Sequence, residues 1–275
     1  MKKVLIPFHD SNLTIIEDIY DLVEIKYSKL FYAVIVHGSV ATNDVIKYSD
    51  FDGLLIIKDQ YLGSKELESF KKESMKIIYN FDPLQHHGWF QIIESDLKNY
   101  PENYLPVTTL EYAKLIYPKE KRLELCLKID QDLDYKSSLI RMLNQFEKRE
   151  ADHWRPRNIY QVKSLLSQVM LIPCLYFSAI NNDGIFKRES FQAVKLNFTK
   201  SEWMPIKTAT DIRNNWNYKI NVFQRIILKN SNKITRKIAT RYLAPKIALN
   251  IQNELDDAFY VNLMLLVKKI KKDII

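Results

Sequence analysis

Phe31-Tyr32-Ala33-Val34-Ile35-Val36-His37-Gly38-Ser39, ten residues of polar connector, then Asp50-Phe51-Asp52-Gly53-Leu54-Leu55-Ile56-Ile57 is the stretch that decides the fold. Residues 31–37 form a short apolar run rich in β-branched and aromatic side chains, which predicts a buried strand. Gly38-Ser39 ends it. Residues 40–50 carry Thr42, Asn43, Asp44 and Ser49, the composition of a short helix or loop. A second strand is predicted from Phe51 to Lys58. Asp50 and Asp52 stand two apart on it, so both carboxylates leave the same face. Two neighbouring carboxylates repel unless a cation lies between them, and oxygen-only ligands select a hard cation such as magnesium. Gly38 lets backbone approach a ligand closely. Ser39 adds a hydroxyl and an N–H where a helical turn is predicted, a favourable place for phosphate. Either half alone is a common string; the ordered combination is far more specific.

Outward from this stretch, residues 12–30 read as a helix capped by Ser11 or Asn12, with Leu13, Ile16, Ile19, Tyr20 and Val23 at helical spacing. A helix is predicted over 64–79 and a third strand over 87–94. The order helix, strand, strand, helix, strand implies a mixed sheet with helices against it. The second half differs. Leu139, Met142, Leu143 and Phe146 recur as on an amphipathic helix, as do Ile159, Val162, Leu165, Leu166 and Val169, and again Leu255, Ala258, Phe259, Leu263, Leu266, Val267 and Ile270. Residues 119–275 therefore read as a helical bundle, in which Pro173 kinks or ends its helix. The expectation is an α+β chain: a catalytic domain over 1–118 and an all-α domain over 119–275.

Composition narrows the function classes. Apolar residues make up 47% and charged residues 27% of the 275, as in soluble globular proteins. Only five glycines occur, and neither dinucleotide-loop nor P-loop glycine strings are present. The net charge of +8 admits polyanionic partners, although nucleic acid is not the favoured one. The densest basic block, Lys268, Lys269, Lys271 and Lys272, reads as a solvated tail. Cys126 and Cys174 lack zinc or redox spacing, sit in apolar patterns read as helical, and imply no disulfide framework. The N-terminus lacks a signal-peptide run and no stretch reads as long enough for a membrane span, so a cytoplasmic protein without a membrane partner is expected.

The ordered motif resembles the signature of nucleotidyltransferases of the DNA polymerase beta superfamily: apolar strand, Gly-[Gly/Ser], connector, Asp-x-[Asp/Glu]. The resemblance is sharpest over residues 31–58 and extends to about 116. Within the superfamily the chain looks like the minimal and antibiotic nucleotidyltransferases, which append a C-terminal helical bundle. The resemblance implies that Gly38 and Ser39 hold phosphates and that Asp50 and Asp52 bind magnesium. It also implies a reaction in which a hydroxyl attacks the α-phosphate of an NTP, ATP being the expected donor, and pyrophosphate leaves.

Catalytic members carry a third carboxylate on a later strand. Here that strand reads Gln85-His86-His87-Gly88-Trp89-Phe90-Gln91-Ile92-Ile93-Glu94, with no acid in its middle. His86 and His87 are the candidate substitutes, as base or ligand. Adjacent strand residues face opposite ways, so only one should reach the Asp pair; His87, with Trp89 and Gln91, is the choice. His37 reads as structural. Lys187 follows the turn Asn182-Asp183-Gly184 at a helix start, where related enzymes bring a lysine to the triphosphate. Arg149–Arg157 reads as a solvated loop between helices. The leading function is magnesium-dependent nucleotidyl transfer to an unknown hydroxyl acceptor. The alternatives are a catalytically degenerate nucleotide-binding or partner-dependent module, and an RNA-binding protein.

Overall fold

The computed structural model describes residues 1–129, 133–230 and 232–274. Along the chain the first elements are β1 (Lys2–Pro7), α1 (Thr14–Leu22), β2 (Phe31–His37), α2 (Gly38–Ala41), β3 (Asp52–Ile57), α3 (Lys65–Phe81), β4 (Phe90–Ile93), α4 (Val107–Glu111), β5 (Lys114–Tyr117) and β6 (Arg122–Leu127). Helices α5 (Lys136–Ala151), α6 (Ile159–Val169), α7 (Ile172–Asn181), α8 (Lys187–Val194), α9 (Lys200–Asn214), α10 (Val222–Leu228), α11 (Lys233–Ile238), α12 (Leu249–Glu254) and α13 (Asp257–Ile274) follow. The chain divides into two compact units, Met1–Gln131 with Ile220–Leu243, and Asp132–Lys219 with Ala244–Ile275. The architecture is α+β, with a mixed sheet in the first unit and helices in the second.

In the first unit a four-stranded sheet runs β4-β3-β2-β5. β2 pairs antiparallel with β3 and β5, while β3 and β4 are parallel. A parallel pair needs a crossover, and α3, whose N-cap Ser64 accepts from the Leu67 N–H, lies on that connection. β2 and β3 are buried on both faces, which is why they read as unbroken apolar runs. Val34, Val36, Leu55 and Ile57 pack with Ile16, Ile19 and Phe70 of α1 and α3. Their alternates Ala33, Ile35, Leu54 and Ile56 pack with Val4, Ile6, Leu110 and Leu125. The second layer comes from a two-stranded ribbon, β1 against β6, antiparallel from Lys2–Leu127 to Pro7–Arg122.

Several expectations change. The expected boundary at 118/119 falls later, because β1 has its partner in β6, and residues 220–243 return to the first unit. The segment from 119 is therefore not helical throughout. Alternation in β6 (Arg122, Leu123, Glu124, Leu125, Cys126, Leu127) puts Leu125 and Leu127 inside and leaves Cys126 exposed on a strand, not on a helix. The helix expected over 12–30 stops at Leu22 and continues as wider and tighter turns to Leu30. Leu13 is its N-cap residue, and Ser11 Oγ accepts the Leu13 N–H at 3.2 Å instead of capping the helix. The third strand shrinks to Phe90–Ile93.

In the second unit α13 packs on α9, α5 and α7. Pro173 stands in the first turn of α7, after α6 has ended, where its missing N–H costs nothing. Cys174 is buried there, its thiol pushed up to about 11 by burial. Ile159–Asn181 is long and apolar enough to cross a membrane by length and composition, contrary to the sequence expectation; 56% of its most apolar window is buried inside the fold. The C-terminal lysines are not a free tail. Lys269 pairs with Asp273 and Lys271 with Glu147, each at 2.6 Å.

Candidate active site

β2 delivers His37 and Gly38 to the same end of the sheet at which β3 begins, because His37 lies opposite Asp52 in the register. Gly38 has φ +66°, a left-handed conformation that favours glycine. A Cβ at Gly38 would sit 2.4 Å from Asp52 Oδ2. The Gly-Ser turn and the second carboxylate are thus in direct apposition across the connector that joins them. The connector closes locally, Ser39 O accepting from Asp44 N–H at 2.9 Å and Gly38 O from Thr42. Ser39, Asp50 and Asp52 are partly exposed, whereas Phe51 between the carboxylates is buried.

The third part of the site is the loop 82–89. On the expected third strand, adjacent histidines would face opposite ways. The strand starts only at Phe90, so the alternation of a pleated strand does not apply and both rings reach the carboxylates. His86 Nδ1 lies 3.6 Å from Asp50 Oδ1, and His87 Nε2 lies 3.2 Å from Asp52 Oδ1. Gln91 is exposed rather than facing the pair. Trp89 turns inward: its Nε1–H donates to Ser74 Oγ at 2.8 Å, and its ring fills the space above Gly53, where a Cβ would come within 2.3 Å.

Gln85 fixes this loop to the Asp-x-Asp segment, of which only Asp52 lies in β3. Its side-chain amide accepts the Phe51 N–H and donates to the Phe51 carbonyl, both at 3.0 Å, and donates to the His87 carbonyl at 3.2 Å. A buried glutamine thus serves as a strand partner for the residue between the two carboxylates. Behind it stands Arg236 of α11, a buried guanidinium. It donates to the carbonyls of Gln85, Pro83 and Leu228, and lies over the Tyr79 ring at 3.5 Å from the centroid. Neither Gln85 nor Arg236 belongs to a motif, and the bonds that join them to the site, Gln85 to Phe51 and Arg236 to Gln85 and Pro83, reach backbone atoms remote in sequence.

The electrostatics follow from burial and pairing. Burial disfavours the His87 imidazolium, but the Asp52 hydrogen bond and charge outweigh it and raise the pKa to about 9. Burial likewise works against ionised Asp52, yet His87 and His37 hold it below the usual carboxylate range. His37 is driven the other way, burial lowering its pKa against the pull of Asp52, and among the described residues its buried Nε2 has no hydrogen-bond partner.

Magnesium needs only one or two protein carboxylates when phosphates and water complete its shell, and Asp50 with Asp52 fits that donor set. Among the described residues no cluster of three or more His, Cys, Asp or Glu could hold a metal ion by itself. Lys187 begins α8 in the second unit and is exposed.

No protein-family model matches the chain, and neither does any curated protein. Among solved structures, the chain is similar to spectinomycin adenyltransferase AAD(9) from Enterococcus faecialis with ATP and spectinomycin. That likeness has a TM-score of 0.47 and 13% identity, and covers 83% of this chain and 97% of that one.

Proposed function

We propose that the chain transfers a nucleoside monophosphate from an NTP, with ATP as the expected donor, to a hydroxyl acceptor. The observation that carries this reading is the contact of the Gly38 turn with Asp52 at the mouth of the sheet. It supports a turn whose backbone could approach phosphates beside Asp52, which with Asp50 would suit magnesium. Asp50 and Asp52 would hold the metal, and Gly38 and Ser39 would contact the phosphates. Bound magnesium would neutralise charge on the triphosphate and its leaving group.

In the transfer the acceptor oxygen bonds to the α-phosphorus while the bond to the bridging oxygen breaks, and pyrophosphate departs. The acceptor hydroxyl also loses its proton. His87 carries a proton at neutral pH while paired with Asp52. It serves as the general base only after that pairing is relaxed; until then it orients Asp52. His86, beside Asp50, is a second group at the same rim. Lys187 is assigned a phosphate contact by the sequence resemblance alone.

A second reading is nucleotide binding without turnover, favoured by a β4 that carries no carboxylate and by a protonated His87. Pyrophosphate release separates the two. With each NTP, magnesium and a panel of hydroxyl acceptors, release should fall by about a thousandfold or more in Asp52→Asn, as expected for loss of metal-assisted charge stabilisation. NTP binding with no release from wild type under any acceptor would favour the binding module.

A further inference from the structure

Between Asp211 and Glu254 the chain has nine lysines and arginines and no acidic residue, so this stretch alone exceeds the net +8 of the whole protein. Its central part, 220–243, belongs to the first unit. The sequence from Lys233 repeats every four residues. Lys233, Lys237 and Arg241 recur as one stripe, and Ile234, Ile238 and Tyr242 follow one residue behind as another. On a helix, residues four apart lie on one face and neighbours lie side by side, so a basic stripe flanks an apolar one. The inward face is taken by Arg236, Ala239 and Thr240, all buried. The outward apolar residues are strongly exposed, Ile234 at 72% and Tyr242 at 67%, and α10 adds Val222 at 75% and Phe223 at 62%.

Large apolar side chains exposed together, as opposed to scattered singly, mark a surface that binds something. We infer that 220–243 docks onto an anionic lipid surface, contrary to the expectation of no membrane partner. Lysine and arginine stripes meet anionic headgroups, while Ile, Val, Phe and Tyr enter the boundary beneath them. A nucleic acid would use the basic stripe but leave the aliphatic stripe in water. A second copy would cover the aliphatic stripe but bring two acid-free basic faces together. An anionic lipid surface satisfies both stripes at once.

The test is sedimentation of the full chain with vesicles of phosphatidylcholine, and of phosphatidylcholine mixed with phosphatidylglycerol. Two variants keep the inward face intact: Ile234→Ser with Ile238→Ser, and Lys233→Glu with Lys237→Glu. Thermal melting confirms that both still fold. The expected result is binding to the mixed vesicles about tenfold tighter than to neutral ones, as a few basic residues near an anionic surface provide, with each variant losing about tenfold or more. Equal binding to both vesicles, or binding that survives both variants and so comes from another segment such as 159–181, overturns the inference. So does a single-stranded RNA oligonucleotide bound at lower protein concentration than the mixed vesicles with no effect of the two serines. A dimer that the serines dissolve overturns it as well.

Discussion

The Gly38–Asp52 stretch and the 82–89 loop face each other across one site, but they are built in different ways. In the first, contiguous residues do nearly everything. β2 and β3 pair along their length, and the register alone brings His37 and Gly38 against Asp52. In the second, nothing local suffices. The loop is held by Gln85 reaching the Phe51 backbone and by Arg236, remote in sequence, reaching the Gln85 and Pro83 carbonyls. A site made of one sequence-local half and one half braced from afar should respond differently to substitution on its two sides.

The largest effect is expected on the braced side. Arg236→Ala removes a buried donor to three carbonyls and uncovers the Tyr79 ring. Leaving such acceptors unsatisfied costs about 3 kcal/mol in total. Urea unfolding should show it, and a loss below about 1 kcal/mol would mean that the brace is not what orders the loop. On the motif side, Gly38→Ala forces a side chain into a left-handed backbone and onto Asp52 Oδ2. The backbone cost is about 1–2 kcal/mol, and NTP affinity should fall more than stability does. Equal losses in the two would place Gly38 in the framework instead of against the ligand.

The smallest effect joins the two sides. The folded His87 pKa of about 9 lies above its ordinary 6.5. The stabilisation from the His87–Asp52 pair is therefore complete below about pH 6.5 and is lost as pH rises through about 9. At the acid end Asp52, held below its ordinary 3.8, preserves the pair until the pH falls through that lowered value. Melting temperatures of wild type and His87→Gln should differ by a few degrees at pH 6 and converge above pH 9. A difference that stays constant across this range would show that the pair does not form.

The same contrast explains what the sequence made legible. Residues 31–37 and 52–57 were readable because strands buried on both faces carry continuous apolar runs; Asp52 opens the second of them, whereas Asp50 stands before it, outside the pleat that would fix a shared face. β1 and β6 were not, since each is buried on one face only and finds its partner more than a hundred residues away. His86 and His87 were found as residues but given strand geometry, which excluded one of them; the loop, set by Gln85 and Arg236, admits both. Arg236 stood in plain view within an acid-free basic stretch, but hydrogen bonds from a buried guanidinium to backbone carbonyls leave no mark in the sequence pattern.

The proposed function stands on Asp50 and Asp52 forming a magnesium-dependent NTP site with the Gly38 turn. Calorimetric titration of the four NTPs tests it most directly, with and without magnesium, on wild type and on Asp50→Ala with Asp52→Ala. Binding of at least one NTP should require magnesium and disappear in the double variant while its melting temperature stays within a few degrees. Magnesium-dependent binding that survives in the double variant would contradict it.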